Sequence, residues 1–298
     1  MTQKFTFDHS PYIVAPGKKF RLKKHKTEIT NGDWDKKSAR KALEEDVNSL
    51  AAAQRLLWAS GKRSVLIIFQ ALDAAGKDGT IRHVMSGVNP QGCDVYSFKA
   101  PSEEEKKHHF LWRPMKVLPA AGHIAIFNRS YYEEVLVVRV HPGFLDGQVL
   151  HKEPDNGNYH HIWKARYVQI NEFERYMVAN GTSIIKFFLN ISKEEQKERF
   201  LARLEEKEKH WKFSASDIRE RSYWEDYMVA YEDMLTATST EHSPWYVIPA
   251  DKKWFARALV ADIIASRIRG LKLSYPKMSK EEMEELLEAK KKLENEDQ

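Results

Sequence analysis

Val65–Phe69 (VLIIF) is an unbroken apolar run the length of one strand, and a glycine-bearing loop follows it before a helical pattern through Ile81 and Val84. A strand that is apolar at every position must be covered on both faces. The same demand recurs along the chain. Ile124–Phe127 (IAIF), Thr182–Leu189 (TSIIKFFL) and Trp245–Ile248 (WYVI) are further runs of this kind, and Val95–Phe98 is a weaker one. Segments with helical spacing lie between them. Residues 36–59 place Leu43, Val47, Leu50 and Leu57 at helical intervals, with Gly61 as the stop. Ser102 with Glu105, and Ser192 with Glu195, read as capping boxes that open helices. Pro114 interrupts or bends the first of these. Ser130–Val140 reads as helical, as does Tyr159–Ala179 after a polar loop containing Pro154, Asn156, Gly157 and Asn158. Lys253–Ile268 is a closing helix. Five strands alternating with helices call for an α/β fold with a five-stranded parallel sheet and helices on both faces.

Composition narrows the class. At 42% hydrophobic and 31% charged residues, the chain is globular and strongly solvated. No segment supplies the ~20 apolar residues of a membrane span, and the N-terminal MTQKFTFDHSPYIV lacks the apolar core of a signal peptide. Cys93 is the single cysteine, so no internal disulfide forms, and a cytoplasmic setting is the simplest expectation. The net charge is +5, unevenly spread: residues 17–26 (GKKFRLKKHK) are basic without an acid, and the stretch from Ser279 is acidic. The division expected is a basic, irregular arm over 1–35, a catalytic domain over 36–275 and a charged terminal helix over 276–298. A basic balance suits an anionic partner such as phosphate, nucleotide or nucleic acid; the plainer reading of both ends is solvated arms.

Strand, glycine-bearing loop, Gly76-Lys77 and helix together make the layout of a P-loop. Backbone N–H groups and the helix dipole favour an anion there. The phosphate cradle is Ala74, Ala75, Gly76, Lys77, Asp78, Gly79 and Thr80. Two positions depart from G-x-x-x-x-G-K-[ST]: Ala71 replaces the first glycine and Asp78 the magnesium-binding hydroxyl. Thr80 is two residues on, about 200° round a helix, and cannot substitute. Asp73, a carboxylate inside the loop, is the candidate metal ligand or the orienter of the phosphoryl acceptor; the competing reading is a cap on the next turn. The third strand ends in Asn128-Arg129, where a P-loop enzyme commonly places a metal-directing Asp. Arg129 can grip phosphate bidentately, or form a surface ion pair. After the fourth strand, Lys193, Lys197, Arg199, Arg203, Lys207, Lys209 and Lys212 interleave with acids. Either they form a basic lid over about 192–222, or a solvated helix laced with salt bridges.

The words FQALDAAGKDGT, NPQG (89–92), FLWR (110–113), FNRSYYEEVLVVRVHP (127–142) and HWKFSASD (210–217) resemble the polyphosphate kinase 2 family over about residues 15–275. Gln70-Ala71-Leu72 and Asn128 are similar to its class III branch, whose members phosphorylate nucleoside mono- and diphosphates. The resemblance implies a thymidylate-kinase-like, P-loop kinase-like core with a helical lid. It implies phosphoryl transfer from inorganic polyphosphate to adenine or guanine nucleotides, with Mg²⁺, Mn²⁺ being the alternative ion. It assigns Asp73 to metal and catalysis, Lys77, Arg129, Arg199 and Arg203 to catalysis, and Asn128, Glu133 and Arg113 to the nucleotide. Glu133 could equally pack or cap. The resemblance also favours a homo-oligomer, with neither nucleic acid nor membrane as partner. Two other readings compete. One is an ATP-dependent nucleoside monophosphate kinase, which would be expected to end its loop in Lys-Ser or Lys-Thr. The other is a basic nucleic-acid-binding protein, for which no helix-turn-helix, zinc or RRM word is present.

Overall fold

A computed structural model describes residues 7–29, 34–150, 158–212 and 214–296. The loop positions Pro154, Asn156 and Gly157 and the side chains of Lys209 and Lys212 lie outside the described residues. Asp35 opens α1 (Lys36–Ser60) by accepting from the Ser38 amide, and Gly61, at φ 56°, ends it in the left-handed region that glycine tolerates. The chain continues through β1 (Ser64–Gln70), α2 (Lys77–Val84), β2 (Cys93–Ser97), α3 (Glu103–Lys106), α4 (Trp112–Met115), β3 (Ile124–Asn128) and α5 (Val137–Val140). It then forms α6 (His160–Ala179), β4 (Thr182–Asn190), α7 (Lys193–Glu205), α8 (Ala215–Ser222), α9 (Trp224–Thr238), β5 (Trp245–Pro249), α10 (Lys253–Arg269) and α11 (Lys280–Glu294). No helix among the described residues is long and apolar enough to cross a membrane.

The five strands form one parallel sheet in the order β2-β3-β1-β4-β5. Successive residues of β1 serve opposite faces, which is why VLIIF is apolar throughout. Val65, Ile67 and Phe69 pack toward α1, α2 and α10, while Leu66 and Ile68 pack toward α6 and α9. β1 lies between β3 and β4, so the strand order reverses beside it, and a crevice opens at the carboxyl ends of these three strands.

Four local expectations are corrected. The stretch read as an arm is a strap: Val14 N donates to Trp245 O, Leu22 N to Glu232, and Phe7, Val14, Phe20 and Leu22 are buried. Its apolar residues are too widely spaced to register as a pattern, yet they tie it across α10, the outer edge of β5 and α9. Ser130–Val140 is not one helix but a 3-10 turn over Tyr131–Val135 followed by α5. Both tyrosine hydroxyls there are anchored on the buried Glu174 carboxylate, which fixes the tighter turn. The Ser102–Glu105 box is present, but it opens a single turn, α3, and Pro114 sits inside the separate α4. At Ser192 only half of the expected box forms, because Glu195 turns its carboxylate to Arg199 instead.

One ion pair lies wholly inside this frame. Lys186 on β4 donates to Glu174 at 2.6 Å, to Thr238 O at 2.7 Å and to the Tyr132 hydroxyl at 3.0 Å, and both charged groups are fully buried. Burial holds the Lys186 pKa below the ordinary lysine range, against the opposing pull of Glu174. Removing one partner strands the other charge in the core. Glu174→Gln should therefore lower unfolding stability by ~3–5 kcal/mol, while Glu174→Gln combined with Lys186→Met should cost less than Glu174→Gln alone. Urea denaturation of the three proteins checks both outcomes.

Candidate active site

The loop joining β1 to α2 is built around two left-handed residues, Ala74 at φ 63° and Gly76 at φ 101°. Ala74 is the costly one, because a Cβ disfavours that region. Its neighbours hold it there. Arg199 donates from Nη1 to Ala74 O at 3.0 Å and Ala75 O at 2.8 Å, and from Nη2 to Ala250 O at 2.6 Å and Asp251 O at 3.1 Å. Its Nε donates to Glu195 at 2.8 Å. All five donors of the guanidinium are therefore engaged by protein. Gln196, also on α7, donates to Asp73 O at 3.0 Å. With these carbonyls tied behind it, the loop presents Ala74, Gly76, Lys77, Asp78 and Gly79 to an open cavity of about 610 Å³. Ala75 and Thr80 are buried beneath.

Lys77 folds back over its own loop, donating from Nζ to Ala71 O at 2.8 Å. Burial, and then the positive charge of Arg129, pull its pKa down to about 8. Arg129 follows β3 in a left-handed conformation at φ 63°, with its amide donating to Phe69 O at 3.0 Å. The turn aims its guanidinium across the sheet. Nη2 donates to Asp73 Oδ1 at 2.5 Å, and Nη1 lies 3.7 Å from Glu133. Glu133 accepts from Gln70 Nε2 at 3.1 Å. Asn128 donates from Nδ2 to Asp78 Oδ1 at 2.7 Å. Asp78, one of the two departures inside the loop, thus meets the neutral residue that stands at the end of β3. An aspartate at 128 would repel Asp78, whereas the neutral amide bonds it.

Two cavities share a wall here. The larger holds Lys77, Asp78, Asn128 and Arg203; the smaller, about 90 Å³, is lined by Glu133, Arg221, Trp224, Tyr227 and Tyr231. Asp73, Arg129 and Asp217 line both. Arg203 lies 3.5 Å from Asp217. The structure therefore brings together Asp73, Lys77, Asp78, Asn128, Arg129, Glu133 and Arg203. It separates Arg199, which clamps the loop from behind, and Arg113. Arg113 donates to Lys99 O at 2.7 Å and lies against the Phe98 ring at 5.1 Å, so it supports two residues of the larger cavity's wall without lining that cavity. Asp217 was singled out by no spacing argument. It stands in the first turn of a short helix, where an acid ordinarily reads as a favourable end charge. Burial, and then the negative charge of Asp73, raise its pKa above the usual carboxylate range.

Residues 33–275 match the polyphosphate kinase 2 family model. The chain belongs to the polyphosphate kinase 2 family. It is 50% identical over 283 residues to an ADP-polyphosphate phosphotransferase of Rhodopseudomonas palustris, covering 95% of this chain and 97% of that one. It is 44% identical over 266 residues to an AMP/ADP-polyphosphate phosphotransferase of Meiothermus ruber, covering 89% and 94%. A crystal structure of polyphosphate kinase 2 from Arthrobacter aurescens TC1 superposes with a TM-score of 0.80 at 42% identity, covering 87% of this chain and 89% of that one.

The donor set facing the cavities suits a hard cation. Asp73, Asp78 and Asp217 offer carboxylate oxygens, with no thiol or imidazole on either wall. Among the described residues no group of three or more His, Cys, Asp or Glu could hold a metal ion. A cation seated here would complete its shell from phosphate oxygens and water, as Mg²⁺ does in kinase sites.

Three outcomes follow from this geometry. A polyanion placed against Lys77 should raise its pKa from about 8 toward the ordinary lysine value. At a pH near 9 the free amine is largely neutral, so binding of tripolyphosphate should take up a proton. Near pH 6.5 the amine is already charged, and uptake by this group should vanish. Calorimetry in buffers of different ionisation enthalpy reads the difference, and Lys77→Met should abolish it. Arg199→Ala should strand the buried carbonyls of Ala74 and Ala250, at ~1–3 kcal/mol for each group left unsatisfied. It should lower the melting temperature and kcat together. Arg203→Ala should lower kcat with the melting temperature nearly unchanged.

Proposed function

We propose that this chain moves a phosphoryl group from inorganic polyphosphate to ADP or AMP across the wall formed by Asp73, Arg129 and Asp217. The observation that carries the reading is that these three residues line both cavities at once. The larger cavity, floored by Gly76 and Lys77, suits the terminal phosphates of the donor. The smaller has an aromatic and acidic lining and suits the acceptor, whose phosphate meets the wall from the opposite side. Phosphoryl transfer needs an in-line arrangement and electrostatic stabilisation more than covalent chemistry. Lys77 supplies positive charge to the donor phosphate, and Arg129 to the oxygens that carry charge in the transition state. Asp73 orients Arg129 through its 2.5 Å bond. A magnesium ion held by Asp73 and Asp217, or manganese in its place, would screen the repulsion between two polyanions.

At about 90 Å³ the acceptor cavity is smaller than the ~300–1,000 Å³ typical of ligand pockets. We read α7, α8 and the turn between them as a lid that has to move outward for a nucleotide to enter. Guanine nucleotides are the alternative acceptors, and a homo-oligomer is the assembly that the family resemblance favours.

ADP and AMP should each be phosphorylated when polyphosphate and Mg²⁺ are the only other components. Asp73→Asn should lower kcat by ~10²–10³-fold with the fold intact by circular dichroism. Phosphorylation of AMP by ATP, with none from polyphosphate, would instead favour an ATP-dependent monophosphate kinase.

A further inference from the structure

The basic run over residues 17–26 is the stretch that a polyanion would first be expected to meet, but it does not line the loop cavities. None of Lys18, Lys19, Arg21, Lys23, Lys24 and Lys26 lines either cavity at the loop, and Arg21 is paired with Glu232 at 3.0 Å. A second positive surface begins where the loop cavity ends. An open groove of about 620 Å³ runs between α1, α2 and α10, lined among others by Lys36, Arg40, Glu44, His83, Trp254 and Arg257. Gly79 divides the two spaces. It lines the loop cavity; its carbonyl meets His83 Nδ1 at 2.7 Å; and a Cβ on it would stand 3.4 Å from Arg257 Nη2. Gly79, without a side chain, keeps the two spaces close to each other.

The hydrogen bonds fix the charges in the groove. A carbonyl only accepts, so the His83 nitrogen on Gly79 O, Nδ1, carries a proton, and Arg257 Nη1 lies 3.2 Å from Nε2 of the same ring. Among the described residues no carboxylate pairs with Arg257. Beyond the effect of burial, the charges of Arg82 and Arg199 lower its pKa, so it sits in a positive field without an acid to offset it. Glu44 is the single carboxylate on the lining, and it is bonded to Arg40 at 3.2 Å with both groups well exposed. Such a pair opens at little cost when a stronger anion arrives.

We propose that this groove is a subsite for the distal part of the inorganic polyphosphate chain, entered from Lys77 over Gly79 and held by Arg257, Arg40 and Lys36. The inference rests on the donor reading above. The groove gathers Lys36, Arg40 and Arg257 against a single carboxylate, which suits a flexible repeating anion. Guanidinium groups bond successive phosphate oxygens through paired N–H donors. A donor of three phosphates ends near the loop; a long chain reaches the groove.

The experiment compares KM for long-chain polyphosphate and for tripolyphosphate, with ADP as acceptor. Lys36→Glu/Arg40→Glu, at exposed positions of α1, and Arg257→Ala should each raise KM for the long chain about tenfold, the effect of one lost strong contact. Tripolyphosphate KM and both kcat values should stay within about twofold, and Arg257→Lys should recover part of the long-chain affinity. Lys18→Glu/Lys19→Glu changes the net charge by as much as Lys36→Glu/Arg40→Glu does, at exposed positions away from the groove, and it should change neither KM. An equal rise for both donors, or none for the long chain, overturns the subsite. If the unmodified protein makes no ATP from polyphosphate of any length, the donor reading fails. Filter binding of long-chain polyphosphate then decides the groove separately, and undiminished retention by Lys36→Glu/Arg40→Glu overturns it.

Discussion

Ala74 occupies a backbone conformation that an alanine leaves unless something holds it, and the phosphate loop has its shape because of that residue. What holds it is the guanidinium of Arg199. Five donors in a rigid fork reach three segments that share no covalent link: the loop carbonyls, the turn after β5 and the first part of α7. A lysine in the same place could satisfy only some of these acceptors, and without the planar geometry. The sheet brings the three segments within reach because β1, β4 and β5 are neighbours whose carboxyl ends lie at one edge. Burial makes the clamp strong, since water cannot compete for the carbonyls, and the clamp takes up all five donors of Arg199.

The charges in front of the loop are arranged on the opposite principle. Arg129, Lys77 and Arg203 stand among Asp73, Glu133 and Asp217 around space that remains open to a ligand. Glu133 and Asp73 raise the pKa of Arg129 further, burial opposing them. Asp73 and Asp217 push against each other. Such a set is unsettled without ligand and relaxed by one: a phosphate answers the cations and a cation answers the carboxylates. The Asn128–Asp78 bond belongs to the same economy of charge. It lets an acid stand at the helix start, where the dipole favours it, without a second acid opposing it.

Sheet, strand order of apolar runs and phosphate loop were legible because each rests on local spacing. VLIIF needs two covers, and a glycine followed by lysine at a helix start needs an anion. Lys77, Asp73 and Arg129 stood out for the same reason, as neighbours of strand ends, and they line the cavities at the loop. What escaped was decided by distance along the chain. The role of Arg199 depends on carbonyls at positions 74, 75, 250 and 251, which no window around α7 contains. Asp217 gains its setting from Asp73, which lies far away in sequence. Glu195 stood three residues after a serine and so promised a capping box, but the guanidinium one turn further on competed for it and won. The strap was illegible because Phe7, Val14, Phe20 and Leu22 follow no period at all: Phe7 meets α10, Val14 meets β5, and Phe20 and Leu22 meet α9.

That strap has a consequence for the order in which the protein can assemble. Its far end reaches the same edge of the sheet as the loop. His25 O accepts from Asn190, and Thr27 O accepts from the Asp251 amide, the residue whose own carbonyl is bound by Arg199. A path of contacts therefore runs from the first residues of the described chain, through the turn after β5, to the loop carbonyls. Synthesis delivers the strap first, but the strand and turn that receive it come more than two hundred residues later. Until β5 emerges from the ribosome, the strap has no surface to lie on and the clamp lacks one of its three anchor points. The phosphate loop, encoded in the first third of the chain, can therefore be finished only after most of the remainder has been made.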